Sequence, residues 1–422
     1  MSHPAPPGNA STPPEPRRSP LHDRHVALGA AFTDFGGWQM PVRYASDLAE
    51  HRAVREAAGL FDISHMAEFL VTGQPSGMFL DYALSGDHSG MRVGKAKYSL
   101  VLAEDGGIID DVIVYRTAED RYLVIANAGN RDAVAEAFAQ RAARAPVAAS
   151  FLAPRERGEG AASFLFVPGP SDTAQIEDVT DQLALMAVQG PAAQEILEAT
   201  PGIDDLSPTL AAVGYYAWAA GSFRGEPLFL ARTGYTGEDG FELLVSHRAA
   251  GALWDALLTA GAPRGLVPAG LAARDTLRLE AGMPLYGHEL SRTTAPAQAG
   301  LGWAVAAGKA EFVGKDGALA ADADARVLVG LVSEGRRAGR AGYPVVAVPE
   351  TDAAGPGATD AAGPVVVGEV TSGALSPTLG HPIALAYVDP AYAAPGTVLA
   401  IDVRGTLIPA SVTTPPFYRR KR

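Results

Sequence analysis

The stretch Gly-Ile-Ile-Asp-Asp-Val-Ile-Val-Tyr at residues 107–115 places two adjacent carboxylates in an otherwise apolar run. The run predicts a β-strand, whose side chains alternate between two faces. Alternation groups Ile109, Asp111, Ile113 and Tyr115 on one face and Ile108, Asp110, Val112 and Val114 on the other. Because neither face is polar, each aspartate is expected among apolar neighbours, where an unpaired carboxylate is costly. A surface bend and a carboxylate held in a dry pocket for a ligand or for chemistry both remain open.

The residues on either side of this stretch predict an antiparallel meander. Its strands are expected at 98–103, 108–115 and 122–126, with turns at 104–107 and 117–120. Helices are expected elsewhere, at residues 48–58, 76–84, 131–144, 192–199, 249–260 and 268–281. After about residue 291, short strands separated by Gly and Pro predict a small barrel or sandwich. The predicted fold class is therefore α+β with a C-terminal all-β domain.

The composition narrows the functional class. The chain has 422 residues, 47% of them hydrophobic, and a formal net charge of −13. This charge argues against general binding to nucleic acid or to a membrane surface. Because the sequence has no cysteine, disulfides, thiolate metal sites and a cysteine nucleophile are excluded. No apolar stretch has the length of a membrane span, and a cytoplasmic location is expected.

A second candidate segment is Arg-Thr-Gly-Tyr-Thr-Gly-Glu-Asp-Gly-Phe-Glu, residues 232–242. Its glycines permit a tight turn and the close approach of a ligand. It lacks the glycine spacing and the Lys-Ser/Thr pair of a phosphate loop. Glu242 is either an exposed hairpin residue or a carboxylate that accepts two N–H donors from a planar heterocycle such as a 2-amino-4-oxopterin.

The segment at residues 270–282, Gly-Leu-Ala-Ala-Arg-Asp-Thr-Leu-Arg-Leu-Glu-Ala-Gly, predicts a helix with Arg274 and Arg278 one turn apart. Pairing within the helix to Asp275 and Glu280 is the better explanation for Arg278. Arg274, near the helix start, suits an anionic or planar ligand.

His65 is a candidate acid–base residue in Gly-Leu-Phe-Asp-Ile-Ser-His-Met, residues 59–66. A single histidine, however, is more often structural. The sequence contains neither the spacing of a metal site such as HExxH nor a Ser-His-Asp nucleophile elbow.

Seven motifs together resemble the aminomethyltransferase of the glycine cleavage system, the T-protein family. In chain order they are FGGWQMPVRY (35–44), GLFDISHM (59–66), KAKYSL (95–100), GGIIDDVIVY (106–115), RTGYTGEDGFEL (232–243), GLAARDTLRLEAGMPLYG (270–287) and TSGALSPTLG (371–380). Each motif is weak alone, but their number, order and spacing are specific. The resemblance extends from about residue 19 to residue 417.

The resemblance implies a multi-subdomain aminomethyltransferase folate-binding fold with a C-terminal β-barrel. The implied reaction transfers the aminomethyl group from the lipoylated H-protein to tetrahydrofolate, giving 5,10-methylenetetrahydrofolate, ammonia and dihydrolipoyl H-protein. Tetrahydrofolate is thus the implied co-substrate, the lipoylated H-protein is the implied partner, and no metal is implied.

The resemblance also assigns site residues. It implies a catalytic role for Asp111, which is expected to face the folate cavity beside Ile109, Ile113 and Tyr115. It implies folate binding by Glu242, Arg274, Tyr235, Met66, Tyr98, Asn127 and Arg422. Asp110 is then expected to be structural, paired with a backbone donor or an arginine.

Four regions are expected on this basis. They are a disordered Pro-rich tail at 1–18, a folate-binding aminomethyltransferase domain at 19–290, a connecting segment at 291–325 and a C-terminal β-barrel domain at 326–422. Residues 154–172 and 351–364 look unlike the family core and are expected to be loops.

Three alternatives within the superfamily are weighed. A folate-dependent demethylase, or the folate module of a sarcosine or dimethylglycine oxidase, is usually fused to a flavin domain, and no dinucleotide fingerprint is present. The folate-binding protein of iron–sulfur cluster repair carries a Lys-Gly-Cys-Tyr motif, whereas this chain has no cysteine. A non-catalytic folate-binding protein would be favoured by the loss of Asp111 or Glu242, but both are present.

Overall fold

Three β-sheets and a closed barrel organise the chain in the computed structural model, which describes residues 15–152, 171–320, 322–348 and 364–420. Most of the predicted tail and of the two predicted loops at 154–172 and 351–364 lie outside the described residues, as does Arg422. Helices and strands are numbered in chain order. The α-helices are α1 His22–Ala27, α2 Asp47–Glu56, α3 Ser76–Ala83, α4 Arg131–Ala142, α5 Ala193–Glu198, α6 His247–Gly261, α7 Leu271–Glu280 and α8 Lys315–Leu319.

The strands divide among these sheets. A small sheet of order β1-β3-β2 contains β1 Arg17–Arg18, β2 Ala31–Phe35 and β3 Trp38–Arg43. A six-stranded sheet of order β6-β7-β8-β5-β10-β9 contains β5 Ala67–Thr72, β6 Ala96–Leu102, β7 Ile108–Ala118, β8 Arg121–Ala126, β9 Ala149–Leu152 and β10 Ala174–Asp178. A seven-stranded sheet of order β12-β13-β14-β15-β11-β4-β16 contains β4 Ala58–Asp62, β11 Leu183–Gln189, β12 Ile203–Ser207, β13 Trp218–Phe223, β14 Glu226–Ala231, β15 Gly240–Ser246 and β16 Leu266–Pro268.

The C-terminal part is a closed barrel of order β17-β20-β19-β18-β21-β22. Its strands are β17 Val327–Ser333, β18 Pro344–Ala347, β19 Val366–Leu375, β20 Pro382–Val388, β21 Val398–Val403 and β22 Thr406–Thr413. All neighbouring strands pair antiparallel, and Val, Leu, Ile and Ala side chains fill the interior. The predicted all-β domain is confirmed in its closed form, which leaves no open sheet edge.

The two large sheets enclose the central core. Apolar residues of the six-stranded sheet, such as Tyr115 and Leu123, pack in one cluster with Phe229 and Leu244 of the seven-stranded sheet and with Leu277 of α7. The outer face of the six-stranded sheet packs against α3 and α4, and the outer face of the seven-stranded sheet packs against α5 and α6. A side chain on the inner face of either sheet therefore lies close to the other sheet and to α7.

A β-bulge corrects the predicted faces of β7. The meander of β6, β7 and β8 is antiparallel as predicted, but the pairing shifts where Leu102 opposes Ile108 and Val101 opposes Asp110. A bulge leaves one residue unpaired and resets the alternation. Ile109 consequently packs in the outer cluster with Val112 and Val114, so its predicted place beside Asp111 is wrong.

Helix α7 begins three residues later than predicted. Pro268 ends β16, which pairs parallel with β4, and the helix starts after Gly270, whose φ of −102° and ψ of −176° are extended. A Cβ on Gly270 would lie 2.5 Å from the backbone of Val42, so only glycine fits. The Gly270 N–H donates to Glu50 Oε2 at 2.9 Å, and this buried carboxylate holds the chain where α7 starts.

Candidate active site

The two aspartates of β7 are held by one asparagine. Asn127, directly after β8, donates its backbone N–H to Asp110 Oδ2 at 2.9 Å and its side-chain amide to Asp110 Oδ1 at 2.8 Å. The same amide nitrogen lies 2.8 Å from Asp111 Oδ1. Asn130 adds a donor to Asp110 Oδ1 at 2.6 Å. Asp110 is thus fully buried and paired with a backbone donor, as expected for a structural residue.

Asp111 has a second partner on the inner face of the sheet. The Tyr98 hydroxyl, on the adjacent strand β6, donates to Asp111 Oδ2 at 3.0 Å. The Tyr98 ring packs against Trp303, with ring centroids 5.4 Å apart, and Trp303 is 69% exposed. A continuous path of side chains therefore leads from solvent through two aromatic rings to the Asp111 carboxyl group.

Burial perturbs both carboxyl groups. It raises the pKa of Asp110 to about 8, with a further contribution from the charge of Asp111 and opposition from the Asn130 and Asn127 donors. Burial also raises the pKa of Asp111, and the hydrogen bonds from Tyr98 and Asn127 limit that rise. Two carboxyl groups in one dry site do not both ionise readily. Such perturbation is typical of functional sites.

Glu242, on the inner face of β15, is buried rather than exposed on a hairpin. Its Oε2 accepts from Thr233 Oγ1 at 2.5 Å and from the Tyr115 hydroxyl at 3.4 Å. Tyr115 and Thr233 are themselves 3.0 Å apart. Burial is the main cause that raises the pKa of Tyr115 well above its usual range, and the charge of Glu242 is the second cause. The phenol therefore stays protonated and can donate. The carboxylate is therefore oriented by two neutral hydroxyl groups.

Arg274 of α7 lies over a tyrosine ring in the same interior. Its guanidinium carbon is 4.9 Å from the centroid of Tyr235, within cation–π range. The Tyr235 hydroxyl donates to the Pro284 carbonyl at 2.5 Å. Within the described ranges, the buried Nη1 of Arg274 has no hydrogen-bond partner. Burial lowers the pKa of Arg274, and the negative charge of Glu242 partly offsets this decrease.

His65 is a neighbour of this arginine that the sequence left as a structural candidate. It is 2% exposed, and its ring meets Phe35 edge-on at 5.3 Å. Burial lowers the pKa of His65 to about 4, and the Arg274 charge lowers it further. The imidazole is consequently neutral near pH 7. Its Nδ1 is buried and unpartnered among the described residues.

Six of the seven predicted folate residues converge with Asp111 around the central core. The charge of Asp111 contributes to the raised pKa of Tyr235, although burial is the main cause, and the Arg274 charge acts on Tyr235 as well. Met66 is partly buried and packs against the central core. The seventh, Arg422, lies outside the described residues.

Sequence reasoning missed three residues at this site. Thr233 lies inside the quoted Arg-Thr-Gly-Tyr motif and is the hydroxyl donor to Glu242. Tyr216 has a positive φ of 55°, and the charges of Glu242 and Asp111 are among the causes, after burial, of its raised pKa. Trp303 follows Gly300 and Gly302 in the sequence. An aromatic residue in a glycine-containing loop was the only sequence signal for its place at the site.

Comparison with known proteins decides the family. Two family models match: the GCVT N-terminal domain over residues 21–309 and the glycine cleavage T-protein C-terminal barrel domain over residues 326–419. The chain belongs to the glycine cleavage T-protein family. An aminomethyltransferase of Streptomyces avermitilis is 49% identical over 414 residues, covering 96% of this chain and 99% of the relative. One of Saccharopolyspora erythraea is 48% identical over 409 residues, covering 96% and 99%.

A solved structure agrees with this membership. The crystal structure of glycine cleavage system aminomethyltransferase T from Bartonella henselae matches with a TM-score of 0.78 and 33% identity, covering 96% of this chain and 99% of that chain. The predicted T-protein fold and the predicted enzyme class, an aminomethyltransferase, are confirmed. Within the described ranges, no group of three or more His, Cys, Asp or Glu side chains is arranged to hold a metal ion. None of the helices described is long and apolar enough to cross a membrane.

Proposed function

We propose that this T-protein transfers the aminomethyl group from the lipoyl arm of the H-protein to tetrahydrofolate, with Asp111 as the catalytic residue. The observation that carries the proposal is the half-buried Asp111 carboxyl group on the inner face of β7, which accepts hydrogen bonds from Tyr98 and the Asn127 amide among the described residues. The family supports the aminomethyltransferase class. The cytoplasmic location expected from the sequence stays a prediction.

The residues opposite Asp111 fit a folate. The Glu242 carboxylate, oriented by Thr233 and Tyr115, matches the adjacent N–H donors of a 2-amino-4-oxopterin ring. Among the described residues, the Nη1 of Arg274 and the Nδ1 of His65 are buried polar atoms without a hydrogen-bond partner, and such atoms need one. A planar heterocycle with its own donors and acceptors satisfies such groups, whereas an apolar ligand leaves them unpaired.

Asp111 is suited to stabilise positive charge. In the reaction the carbon–sulfur and carbon–nitrogen bonds of the aminomethyl group break, and two bonds to folate nitrogens form. The two protons displaced from those nitrogens leave with the dihydrolipoyl thiol and with ammonia. Positive charge develops at the aminomethyl carbon, and a carboxylate in a dry site interacts with it more strongly than one in water. Asp111 also orients the attacking nitrogen by accepting its N–H.

The proposal needs no covalent enzyme intermediate. Tyr98 and Asn127 fix the Asp111 carboxyl group by neutral donors, so they leave its charge available for the reaction. The exposed Trp303 and the Tyr98 ring border the approach to the carboxyl group. The lipoyl arm is proposed to enter along this border, because both substrates must reach Asp111 at once.

A reconstituted assay tests the proposal. Aminomethyl-loaded H-protein and tetrahydrofolate are mixed with the wild-type chain, and ammonia and methylenetetrahydrofolate are measured. Both products are expected from the wild type, and Asp111→Asn is expected to form neither at a comparable rate. A wild-type protein that releases no ammonia would overturn the proposed function, and a fully active Asp111→Asn would remove Asp111 from catalysis.

A further inference from the structure

We infer that a buried carboxylate at the end of α7, together with residues of the barrel, positions Arg274 and Tyr235 for the ligand. This inference rests on the proposed function of those two residues. The group is called the Glu280 cluster here and consists of His51, Arg55, Glu280, Ser376 and Thr378. Its members are positioning residues, since they act through the helix and the loop that carry the ligand contacts.

The barrel supplies three donors to Glu280, the last residue of α7. Ser376 Oγ donates to Oε1 at 2.5 Å, the Thr378 backbone N–H to Oε1 at 3.0 Å, and Thr378 Oγ1 to Oε2 at 2.7 Å. The Glu280 side chain is fully buried. Hydrogen bonds to a buried charge are stronger and more directional than those between neutral groups. The C-terminal end of α7 is therefore fixed relative to the barrel.

Helix α2 approaches the same carboxylate with two side chains. Arg55 donates from Nε and Nη2 to Glu280 Oε2, at 3.1 and 2.7 Å. His51, fully buried, lies with Nε2 at 3.3 Å from Glu280 Oε2 and with Nδ1 at 2.7 Å from Thr276 Oγ1. Thr276 lies on α7 between Arg274 and Glu280, so α2 contacts α7 at two successive turns.

Arg55 also reaches the loop that carries Tyr235. Its Nη1 donates to the Thr236 carbonyl and to Glu238 Oε1, each at 2.8 Å. One guanidinium group therefore connects the end of α7 to the residue that follows Tyr235. Arg274 and Tyr235, which stack on each other, sit on the two elements that this single arginine joins.

A second buried charge on α7 strengthens the attachment. Arg278, 1% exposed, donates to Glu289 Oε2 at 3.0 Å and to Ser372 Oγ of the barrel at 2.8 Å. Ser372, Ser376 and Thr378 all belong to the motif TSGALSPTLG at residues 371–380. Among the described residues, the hydrogen bonds of the motif to α7 go to Arg278 and Glu280 and not to the proposed ligand-binding residues. The hydroxyl groups of the motif instead bind charged side chains of α7, so the motif is the part of the barrel that holds this helix.

Arg274 is the residue most sensitive to a movement of α7, because its Nη1 has no protein partner among the described residues. The position of this guanidinium group is set by the α7 backbone and by the Tyr235 ring. A small shift of α7 changes both, and displacement of a binding group by about 1 Å costs a large part of its effect. The barrel thus contributes to ligand affinity without touching the ligand.

Binding of tetrahydrofolate in the absence of H-protein tests this inference. The affinity is measured by calorimetry for wild type, Glu280→Gln and Ser376→Ala. The matched control is Thr200→Val, which removes a buried hydroxyl that donates to the Ile196 carbonyl at 2.7 Å, at the end of α5. Kd is expected to rise about tenfold in Glu280→Gln and about threefold in Ser376→Ala, and to stay unchanged in Thr200→Val.

A double-mutant cycle separates positioning from general loss of stability. If Glu280 acts through Arg274 and Tyr235, Glu280→Gln weakens binding in the wild-type background and has a clearly smaller effect on the Kd of Arg274→Ala, in which only Tyr235 is left to be positioned. Additive effects in the cycle, an unchanged Kd in the folded Ser376→Ala and Glu280→Gln variants, or an equal loss in Thr200→Val would each overturn the inference. A wild-type chain with no affinity for tetrahydrofolate would instead overturn the proposed function, and this inference with it.

Discussion

The Asp110–Asp111 pair of β7, one residue fully buried and the other half-buried, and the fully buried Glu280 of α7 have opposite surroundings. Within the described part of the chain, the hydrogen-bond donors to the pair are neutral amides and a phenol. Glu280 receives Arg55 and His51 in addition to the barrel hydroxyls. Burial raises the pKa of Asp110 to about 8. Burial also acts to raise the pKa of Glu280, but His51, Ser376 and Arg55 outweigh it and hold the pKa at about 2.

We propose that the difference separates Asp111, which serves the chemistry, from Glu280, which serves the architecture. Asp110 is also held by neutral donors, but Asn127 and Asn130 occupy both of its oxygens, and it is structural. A carboxylate that is paired with an arginine and saturated by hydrogen bonds holds elements together but has little interaction left for a substrate. A carboxyl group held by neutral donors retains its electrostatic interaction with a developing positive charge. Substitutions of Asp111, Asp110 and Glu280 test this comparison.

The largest effect is expected for Asp111→Asn. The substitution keeps the shape of the side chain and removes its charge, so kcat is expected to fall roughly 1,000-fold. The melting temperature should fall no more than in Asp110→Asn, because Asp111 accepts only two side-chain hydrogen bonds among the described residues and a carboxyl group with a raised pKa contributes no stability through its charge. Turnover assays and thermal unfolding on the same preparation check both parts. Retained turnover would place Asp111 with the architectural group.

Glu280→Gln is expected to act mainly on stability and ligand affinity. It leaves Arg55 without its main counter-charge in a buried position, which costs roughly 3 kcal/mol of the free energy of unfolding. Denaturant unfolding measures this loss, with Thr200→Val as the control, for which about 1 kcal/mol is expected. At saturating folate, kcat should remain within a few-fold of wild type. A collapse of kcat at saturation would contradict the architectural role.

Asp110→Asn is expected to cost about 1.5 kcal/mol of the free energy of unfolding. The amide has a single acceptor oxygen, whereas both carboxyl oxygens of Asp110 accept N–H donors from Asn127 and Asn130. Turnover should fall less than tenfold, since Asp111 keeps its own Tyr98 and Asn127 contacts. Parallel unfolding and turnover measurements on Asp110→Asn and Asp111→Asn decide the asymmetry. Equal losses of kcat would assign both aspartates to the chemistry.

The last prediction concerns two pH dependences of opposite sign. The folded pKa of Glu280 lies at about 2, below its ordinary 4.5, so its contribution to stability is present above pH 4.5 and is lost as pH falls toward 2. The folded pKa of Asp110 lies at about 8, above its ordinary 3.8, so its contribution is present below pH 3.8 and is lost as pH rises through 8. The free energy of unfolding is measured from pH 3 to 9 for wild type, Glu280→Gln and Asp110→Asn. The difference between wild type and Glu280→Gln should increase with pH, and the difference between wild type and Asp110→Asn should decrease with pH. Parallel slopes would contradict the comparison.

Local patterns in the sequence predicted the elements that carry the site. Alternation in residues 107–115 placed Asp111 with Tyr115, but it could not register the bulge, because the unpaired residue is defined by the partner strand β6 rather than by β7. The helical period found α7, and its start was misplaced because Pro268 joins β4 through a parallel pairing that local sequence does not encode.

Contacts distant in the sequence were beyond local patterns. Intrahelical pairing was predicted for Arg278, and the bond to Asp275 is present at 2.8 Å. Arg278 also donates to Glu289 and to Ser372. The bond to Ser372 was not predictable, since Ser372 lies 94 residues away. The resemblance to the T-protein family gave the motif at 371–380 but no physical role for it. Only the three-dimensional contacts with Glu280 and Arg278 supply one.

The Glu280 cluster also orders events during synthesis of the chain. Glu280 leaves the ribosome 96 residues before Ser376, and His51 leaves 327 residues before Thr378. During that interval the two large sheets can form around Asp111, while the end of α7 still lacks its seat on the barrel. On the proposed roles of Asp111 and Arg274, a nascent chain that stops short of residue 371 would have Asp111 in place but would lack the barrel hydroxyl groups that fix the end of α7. Folate binding is then expected to appear late in translation, with the barrel.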